Sequence, residues 1–326
     1  MSRTVLVTGA GGFIGGHLVT SLVEAGDRAR AFVRYNSRSD RGALEWHPPE
    51  LVAEIEVVFG DLRDIESVTR AMSGVDIVFH LGAQVAIPYS YVNARDFVET
   101  NVLGTLNVAE AALRTGAARV VHTSTSEVYG TAQSVPMAED HPIEAQSPYA
   151  ASKVGADMLM EAYFRSYRLP VTILRPFNTY GPLQSARAIV PTIITQALAG
   201  GTVRLGDLDV RRDLTYVSDT VAGFLAAARS DAAVGRTVQL GTGEDVSVAD
   251  VVELVGELLG RPLEVEFDQA RLRPPDSEVR CLRSDHELAR RLIGWRPVVD
   301  LRTGLDLTIS WVAAHLDRYR VGEYVV

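Results

Sequence analysis

Several features that would assign this 326-residue chain to other classes of protein are missing from it. Its single cysteine, Cys281, cannot form an internal disulfide, which fits a reducing compartment. The seven histidines are scattered, so no cluster of Cys and His predicts a metal site. The chain enters its first strand without the basic and apolar regions of a signal peptide, and no apolar run reaches membrane-spanning length. We therefore expect a cytoplasmic protein with no resident metal and no membrane partner.

Positive charge is scarce too, since 32 Lys and Arg face 41 Asp and Glu, for a net charge of −9. No basic tract offsets this balance, which argues against nucleic acid as the partner. What the chain does contain is 47% hydrophobic and 22% charged residues, ordinary proportions for a soluble enzyme. Its length suffices for one large domain or two unequal ones.

The start of the chain carries a glycine motif between a strand and a helix. An apolar strand over residues 4–8 runs into glycines spaced Gly-x-x-Gly-x-x-Gly, and a helix over residues 17–25 follows. Glycine is needed where the chain turns tightly and where backbone approaches a pyrophosphate, and the helix N-terminus offers free N–H groups to the phosphates. The pattern predicts a dinucleotide site. The cofactor contacts expected here are Gly9, Gly12, Phe13, Ile14 and Gly15.

The residues after the second strand, predicted over residues 28–33, bear on which dinucleotide is bound. An acidic residue there would hydrogen-bond the 2′-hydroxyl of NAD, but the chain has Arg34 and no carboxylate. Arg34 would pair with the 2′-phosphate of NADP, which slightly favours NADP, whereas a solvated arginine would leave NAD open. The nearby Asn36 is a further expected cofactor contact.

Two later strand ends are expected to complete the cofactor site. After the third strand, residues 55–59, Asp61 is placed to hold the adenine amino group or, alternatively, to cap the next helix. The fourth strand, residues 76–80, leads into a turn of small residues that lets the cofactor lie close. The cofactor contacts expected from these two strand ends are Asp61, Leu62, Leu81 and Ala83.

Strands and helices alternate through the first half of the chain. We predict a long helix over residues 96–114, a loop over residues 87–91 and irregular structure over residues 38–54. Such alternation is typical of a Rossmann-type α/β fold, a doubly wound parallel sheet with helices on both faces. We expect an NAD(P)-binding Rossmann domain over residues 1–174. Residues 175–326 would form mainly a smaller substrate-binding lobe, with segments interleaved into the first domain.

One stretch, residues 120–153, carries recognisable chemistry. It begins at the end of a buried strand, continues with hydroxyl residues and a carboxylate, and closes with a helix that bears Tyr149 and Lys153. These two residues are four apart and share one helix face. A lysine ammonium beside a tyrosine hydroxyl favours the phenolate, so Tyr149 would exchange a proton with a substrate alcohol near neutral pH. An isolated pair of this kind is more often an ordinary feature of an amphipathic helix.

The combination of several motifs carries a resemblance that spans nearly the whole chain. The motifs are the three glycines, the Tyr149/Lys153 pair, Arg175-Pro-Phe-Asn178, Arg273-Pro274 and Leu292-Ile-Gly-Trp295. Together they resemble the extended short-chain dehydrogenase/reductase superfamily. Within it, Thr125-Ser126-Glu127 and residues 175–196 resemble the nucleotide-sugar 4,6-dehydratases. The chain looks most like bacterial enzymes that act on a nucleotide-linked N-acetylglucosamine in nonulosonic acid pathways.

The resemblance implies a role for each residue of the central stretch. Tyr149 would take the proton of the sugar 4-hydroxyl while hydride passes from C4 to the nicotinamide, and Lys153 would hold the nicotinamide ribose and keep Tyr149 acidic. Thr125 would orient the 4-hydroxyl, and Glu127 would remove the C5 proton that the 4-keto group acidifies. Ser126 would lie near the departing 6-hydroxyl, where some dehydratases have Asp, and a serine donates poorly unless water or Glu127 supplies the proton. Hydride returned to C6 gives a 4-keto-6-deoxy sugar and regenerates the tightly bound cofactor. For Glu127 the alternative is a helix-cap or ion-pair role.

The nucleotide sugar would be held mainly by the second half of the chain. Arginine binds phosphate oxygens in bidentate fashion, so we expect guanidinium–phosphate contacts. Glu278 is the candidate for a ribose hydroxyl, and Tyr89 lies in a predicted loop that would face the substrate. The full set of expected substrate contacts is Tyr89, Asn178, Arg187, Arg212, Arg273 and Glu278. By the same resemblance we expect a homodimer whose interface is a four-helix arrangement of the helices over residues 96–114 and 148–167.

Other reactions and a non-catalytic role stay open from the sequence. A UDP-glucuronate decarboxylase has a similar Thr-Ser-Glu stretch but needs a cation for the substrate carboxylate, for which Arg187 is a candidate. A 4-epimerase uses the Tyr/Lys pair without a carboxylate base, so Glu127 argues against it. A 5,6-dehydratase would release the alkene with the same residues, and a dinucleotide sensor would keep the fold without the chemistry. The base, the hexose and the pathway are not defined by these motifs.

Overall fold

The framework of the computed structural model, which describes residues 2–323, is one parallel β-sheet covered by helices on both faces. The strands are β1 (Thr4–Thr8), β2 (Arg28–Arg34), β3 (Glu56–Gly60), β4 (Ile77–His80), β5 (Arg119–Thr123), β6 (Val171–Pro176), β7 (Asn178–Tyr180), β8 (Val203–Leu205), β9 (Arg211–Arg212), β10 (Leu214–Tyr216), β11 (Thr237–Leu240), β12 (Val246–Ser247), β13 (Val265–Phe267) and β14 (Cys281–Leu282). Seven of them form the main sheet in the order β11-β6-β5-β4-β1-β2-β3, and each neighbouring pair runs parallel. The predicted Rossmann-type α/β fold is therefore confirmed.

Helices cover this sheet on both sides. They are α1 (Phe13–Glu24), α2 (Pro49–Ala53), α3 (Ile65–Met72), α4 (Ile87–Val92), α5 (Ala94–Phe97), α6 (Gly104–Thr115), α7 (Pro148–Tyr167), α8 (Ile189–Leu198), α9 (Val217–Arg229), α10 (Val248–Leu258), α11 (Glu287–Ile293) and α12 (Leu301–Ala314). Val5 and Val7 of β1 belong to one hydrophobic core cluster with Leu18 of α1. Leu6 belongs to a second cluster with Val68 of α3. Successive side chains of a strand point to opposite faces, so a strand that is apolar throughout needs helices on both. None of the helices in the described part of the chain has the length and apolar character that crossing a bilayer requires.

The helix predicted over residues 96–114 is not one regular α-helix. A π-helical segment, Val98–Leu103, separates α5 from α6. The buried Asn101 in this segment accepts a hydrogen bond from the Gln84 N–H at 2.7 Å, and its Nδ2 donates to the Gln84 carbonyl at 2.9 Å and to Ser152 Oγ at 2.8 Å. π-Helical turns are rare and concentrate at functional sites. This one joins the turn after β4 to α7, the helix that carries Tyr149.

Two stretches predicted as irregular contain short helices. Residues 87–91 lie in α4, which has Pro88 in its first turn, where proline sacrifices no helical hydrogen bond. Residues 38–54 contain a 3₁₀ helix, Gly42–Trp46, and α2, which Pro49 begins instead of interrupting. Both corrections have one cause, since a proline at the start of a helix resembles a breaker when only the sequence is read.

The second half of the chain adds one strand to the main sheet and also forms smaller sheets. β11 pairs with β6, and α9 packs against α1. The other strands form three small sheets: β7 with β10, β12 with β9 and β14, and β8 with β13. The expected boundary between residues 174 and 175 falls inside β6, and the division into two domains stays a prediction. Residues 1 and 324–326 of those expected domains lie outside the described part of the chain.

Candidate active site

The carboxyl ends of the central strands meet along one edge of the sheet, where open α/β sheets bind their ligands. The Thr8 hydroxyl at the end of β1 accepts a hydrogen bond from the Gly82 N–H at 3.0 Å and lies 2.8 Å from Nδ1 of the buried His80. After β5, the Ser124 N–H donates to the Leu174 carbonyl of β6 at 2.6 Å. The first two contacts hold the end of β1 against β4 and the turn that follows it, and the third holds the residue after β5 against β6.

The glycine motif forms a close-packed turn at this edge. Gly9 has a φ of +71°, and a Cβ there would lie 2.7 Å from the backbone nitrogen of Gly82. A Cβ on Gly15 would lie 2.2 Å from the Gly9 carbonyl oxygen. α1 begins immediately after the second glycine of the motif, earlier than predicted, so the unpaired N–H groups of its first turn include those of Phe13 and Ile14. This cradle of backbone and N–H donors fits the pyrophosphate of a dinucleotide.

Arg34 and Asp61 lie at the ends of the neighbouring strands β2 and β3. Arg34 is exposed, and its positive charge acts on the Asp61 carboxylate. The Arg63 guanidinium donates to both oxygens of Asp61 at 2.6 to 3.2 Å, and the Arg63 backbone N–H donates at 2.9 Å; these hydrogen bonds hold the pKa of Asp61 below its ordinary value. The alternative role of Asp61 as a helix cap is wrong, because the cap of α3 is Asp64.

The other expected cofactor contacts line the same edge. Asn36 is used within the turn after β2, where its Oδ1 accepts the Asp40 N–H at 3.0 Å and its Nδ2 donates to the Asp40 carbonyl at 2.8 Å. Leu62 is buried, and Leu81 and Ala83 are half-buried in the turn after β4. Their contacts with a cofactor stay predictions.

Tyr149 lies in the first turn of α7 under an apolar cover. Its ring packs edge-on against Phe97 with centroids 6.2 Å apart, and the residue is 8% exposed. Burial raises the pKa of Tyr149, a hydrogen bond with the Thr125 side chain opposes that rise, and the charge of Glu127 adds to it. Desolvation of the phenolate is the largest effect on the pKa of Tyr149, which is raised in this structure. The effect of Lys153 on Tyr149 stays a prediction.

Lys153 is the only lysine in the sequence. It is buried one helical turn after Tyr149, and its Nζ donates to the carbonyl of Thr123 at the end of β5 at 2.6 Å. Burial lowers the pKa of Lys153 to about 8, and the charge of Asp157 opposes this shift. The ammonium is therefore close to its titration point at neutral to mildly alkaline pH.

Thr125, Ser126 and Glu127 are all buried in the turn after β5. Thr125 caps a 3₁₀ helix, Ser126–Tyr129, since its Oγ1 accepts the Glu127 N–H at 3.2 Å. Glu127 is therefore not the cap. Its carboxylate instead lies 3.9 Å from Nη1 of Arg273, so the ion-pair alternative describes a real contact.

Three charged side chains from distant parts of the sequence converge beside Glu127. Glu278 Oε1 lies 3.2 Å from Nη2 of Arg212 and 3.6 Å from Nη1 of Arg273. We call Glu127, Arg212, Arg273 and Glu278 the four-charge cluster. Burial lowers the pKa of Arg212, and the charge of Glu127 opposes that shift. Three of the six expected substrate contacts therefore lie together next to the expected base.

The three remaining substrate candidates differ in position. Asn178, on β7, has a buried Oδ1 without a hydrogen-bond partner among the described residues. Tyr89 is half-buried on α4, where its hydroxyl accepts a hydrogen bond from Asn93 at 3.2 Å and its ring approaches Phe97. Arg187 is exposed and forms no ion pair with any residue between 2 and 323, so the structure does not bring it into the four-charge cluster.

A buried network behind the site was missed in the sequence. The Asp157 carboxylate accepts hydrogen bonds from Ser124 at 2.6 Å and from Arg175 at 3.0 Å, and its second oxygen lies 3.2 Å from Nε2 of His122. Arg175 also donates to the Tyr129 hydroxyl at 2.9 Å. Burial acts to raise the pKa of Asp157, but the hydrogen bond with His122 and the nearby positive charges hold it below its ordinary value. The available signal was position, since Asp157 lies one helical turn after Lys153.

Asp213 is a second residue that sequence reasoning missed. It is fully buried after Arg212, and its carboxylate accepts hydrogen bonds from Thr242, Gly243 and Ser284 at 2.7 to 3.1 Å. It thereby fixes two loops of the second half beside the four-charge cluster. Among the described residues, no group of three or more His, Cys, Asp or Glu side chains is arranged to hold a metal ion.

Comparison with known proteins finds relatives that match nearly the full length of this chain. The family described as GDP-mannose 4,6 dehydratase matches residues 6–308. A UDP-glucose 4-epimerase of Mycolicibacterium smegmatis is 35% identical over 312 residues, which cover 94% of this chain and 97% of that protein. A dTDP-glucose 4,6-dehydratase of Streptomyces griseus is 35% identical over 325 residues, which cover 97% of this chain and 95% of that protein. The solved structure of DesIV, a dTDP-glucose 4,6-dehydratase from Streptomyces venezuelae with NAD bound, superposes with a TM-score of 0.85 at 30% identity, covering 97% of this chain and 99% of that one.

The single lysine allows the pKa of Lys153 to be measured directly. Protein labelled with ¹³C at the lysine ε-carbon should give one side-chain signal in NMR, with a titration midpoint about 8 in place of 10.5. Since the unfolded chain then binds more protons than the folded one between these two values, the contribution of Lys153 to the free energy of unfolding should rise with pH in that window. The rise should be about 1.5 kcal/mol between pH 8 and about pH 9.5.

The urea-unfolded chain is the control for this titration, and its midpoint should return to about 10.5. A folded-state midpoint that equals the unfolded one would contradict the burial effect.

Proposed function

This chain belongs to the GDP-mannose 4,6 dehydratase family of extended short-chain dehydrogenase/reductases, and we propose how its site performs the 4,6-dehydration of a nucleotide sugar. The product would be a nucleotide-linked 4-keto-6-deoxyhexose. The observation that carries this proposal is the buried carboxylate of Glu127 beside the Tyr149 and Thr125 pair. Removal of a C5 proton requires a base at that place, whereas epimerisation at C4 does not.

The first step is oxidation at C4. A bound dinucleotide, which the glycine motif and Lys153 would hold, would supply the acceptor for hydride from C4 and the donor of hydride to C6. Tyr149 accepts the proton of the sugar 4-hydroxyl, and Thr125, which already bonds the Tyr149 side chain, orients that hydroxyl. Burial opposes formation of the phenolate, and the charge of Lys153 one turn along α7 would offset it together with the hydrogen bond between Tyr149 and Thr125.

The second step is elimination of water across C5 and C6. The 4-keto group acidifies the C5 proton, and Glu127 takes it as the base. The C6–O bond breaks, and the oxygen needs a proton to leave as water. Ser126 donates poorly by itself, so we infer that it relays the proton that Glu127 has taken from C5. Hydride is returned to C6, C5 takes a proton from solvent through Glu127, and Tyr149 releases the 4-hydroxyl proton to solvent, which completes the product.

The nucleotide would lie at the four-charge cluster. Arg212 and Arg273 offer two guanidinium groups to a diphosphate, and Glu278 offers a carboxylate to a ribose hydroxyl. Because Glu278 already pairs with both arginines, a bound diphosphate would exchange ion-pair partners with it. Asn178, with its unpaired buried oxygen, and Tyr89 are the remaining proposed contacts.

Epimerisation and decarboxylation are the two alternatives that specific observations address. The epimerase of Mycolicibacterium smegmatis is as similar as the dehydratases, and it keeps 4-epimerisation as the second candidate. Glu127 argues against 4-epimerisation, because that reaction needs no carboxylate base. A decarboxylase would need a cation for the substrate carboxylate, and Arg187 is exposed away from the four-charge cluster. A 5,6-dehydratase would use the same residues and differ only in releasing the alkene.

The choice between NAD and NADP depends on Arg34. Its exposed guanidinium supports the proposal that this chain accepts NADP. DesIV, in contrast, was solved with NAD. We therefore propose that both dinucleotides bind and that Arg34 decides the share of NADP.

We also propose a homodimer in the cytoplasm. Apolar side chains are exposed on the π-helical segment and on α7, among them Val98 at 49%, Leu103 at 48% and Met158 at 44%. Covering such a surface with its copy would remove it from water and build a four-helix interface. The single cysteine supports a reducing compartment.

The reaction is tested with UDP- and GDP-N-acetylglucosamine, GDP-mannose, dTDP-glucose and UDP-glucuronate, with products read by mass spectrometry. We expect a product lighter by one water from at least one of them. Glu127→Gln should slow dehydration by about 10²- to 10⁴-fold, because the base is lost. The transient absorbance of reduced cofactor should persist in this variant, since Tyr149 and Lys153 are intact, whereas Tyr149→Phe should abolish both signals.

Dehydration at the normal rate by Glu127→Gln would remove Glu127 from the mechanism. An unchanged mass for every substrate, with an altered sugar configuration in the NMR spectrum, would establish epimerisation. Loss of CO₂ from UDP-glucuronate alone would establish decarboxylation.

Arg34→Asp should weaken NADP about tenfold or more while NAD affinity holds or improves, because a carboxylate repels the 2′-phosphate and accepts from the 2′-hydroxyl. Calorimetric titration with both dinucleotides measures this. Arg28→Asp, the same charge change at the exposed opposite end of β2, is the matched control. Equal NADP affinity in Arg34→Asp and the unaltered protein would exclude Arg34 from the cofactor site.

Leu103→Arg should shift the protein from dimer to monomer in sedimentation velocity, because it places a charge in the proposed interface. Leu307→Arg is the control, since Leu307 on α12 is exposed to nearly the same extent, 47%. A monomeric unaltered protein at micromolar concentration, or dissociation by both variants alike, would reject this interface.

A further inference from the structure

The segment after β2, residues 36–47, lies directly on the glycine motif. The Ala43 N–H donates to the Gly11 carbonyl at 2.8 Å, and a Cβ on Gly42 would lie 2.3 Å from that same oxygen. Asp40 accepts the Gly42 N–H at 2.7 Å and keeps this approach in place. The segment therefore covers the backbone that would hold the dinucleotide.

The last residue of this segment packs against α1. The His47 ring is edge-on to His17 at 5.1 Å, and His17 Nε2 donates to the Pro182 carbonyl at 3.0 Å. Burial lowers the pKa of His17, and it lowers the pKa of His47 to about 4. Both rings are neutral near pH 7, so this contact is one of packing and hydrogen bonding.

Aromatic rings tie the same segment to the C-terminal part of the chain. Trp46 stacks on Trp311 of α12 with centroids 5.7 Å apart and planes 17° apart, and Tyr319 is edge-on to both rings at 6.3 Å. The Tyr319 hydroxyl donates to the Gln184 carbonyl at 3.1 Å, and burial raises its pKa to about 12, so it stays protonated. We call Trp46, Trp311 and Tyr319 the aromatic latch.

We propose that the aromatic latch holds the 36–47 segment closed over the bound dinucleotide and makes the exchange of that cofactor slow. The segment has one partner in the glycine motif and a second in α12, and it can open only if the Trp46–Trp311 stack separates. Slow exchange suits the chemistry, because the hydride taken from C4 returns to C6 and the cofactor need not leave between turnovers. This inference rests on the dinucleotide site of the proposed function.

The latch also touches the substrate side of the molecule. Tyr319 bonds Gln184, and His17 bonds Pro182, in the loop that follows β7 and its Asn178. The aromatic latch and the neighbouring His17–His47 contact therefore hold both the 36–47 segment and this loop. A variant that opens the latch should loosen both.

The test measures cofactor exchange and not sugar conversion. Protein loaded with NAD is mixed with excess isotopically labelled NAD, and the bound cofactor is analysed by mass spectrometry over time. Trp311→Ala should exchange about tenfold faster or more, because it removes the stacked partner of Trp46. Trp311→Phe keeps an aromatic partner and should restore most of the slow exchange.

Phe267→Ala is the matched control, since Phe267 is a large exposed aromatic on β13, outside the latch. Exchange at the unaltered rate in Trp311→Ala, or equal acceleration in Phe267→Ala, would overturn the proposal. If Trp311→Ala fails to fold, Tyr319→Phe removes only the hydroxyl bond to Gln184 and should accelerate exchange by about two- to fivefold; no acceleration there would also overturn it. A protein that exchanges NAD slowly but dehydrates no sugar would refute the proposed reaction and leave the latch intact.

Discussion

The geometry of the catalytic edge depends on the hydrogen bonds that the buried Asp157 carboxylate accepts. A carboxylate without solvent is costly unless other groups donate to it, and breaking one such pair costs several kcal/mol, typically about 3 to 5. Ser124 follows β5, Arg175 belongs to β6, and Asp157 itself belongs to α7, so meeting this one requirement fixes three elements relative to each other. Tyr149 and Lys153 lie on the same helix and inherit their positions from it. The network contains no expected catalytic group, yet it sets where those groups are.

Burial also sets the proton chemistry of the site. It raises the pKa of Tyr149 and lowers that of Lys153, so the two residues are both driven toward their neutral forms. A proton shared with a substrate alcohol then moves between groups whose charges are weakly screened, because little water reaches them. The four-charge cluster has the opposite character. Its two carboxylates balance its two guanidinium groups, so an incoming diphosphate would compete with Glu278 for arginines that are already paired.

Contacts of different kinds stabilise the two ends of the proposed site. On the substrate side, Asp213 gathers the N–H and hydroxyl groups of two loops around one buried carboxylate. On the proposed cofactor side, Trp46 and Trp311 make an apolar ring stack, which is less directional than the hydrogen bonds of Asp213. Hydrogen bonds to a buried charge fix a position closely, whereas stacked rings can separate and close again. This difference is consistent with a rigid substrate pocket next to a cofactor cover that opens for loading.

The sequence by itself determined the features whose causes are local. The glycine motif, the alternation of strands and helices, and the Tyr149/Lys153 spacing on a helix begun by Ser147 and Pro148 each depend on a few neighbouring residues, and these features were predicted correctly. The tertiary structure alone decided the direction of the Tyr149 pKa, the pairing of Glu127 with Arg273 and the π-helical turn around Asn101. Each of these depends on side chains that the fold brings from distant parts of the chain, and desolvation depends on all of them at once. Residue type and spacing specify what a group can do, but its surroundings after folding specify which charge it carries and which partner it meets.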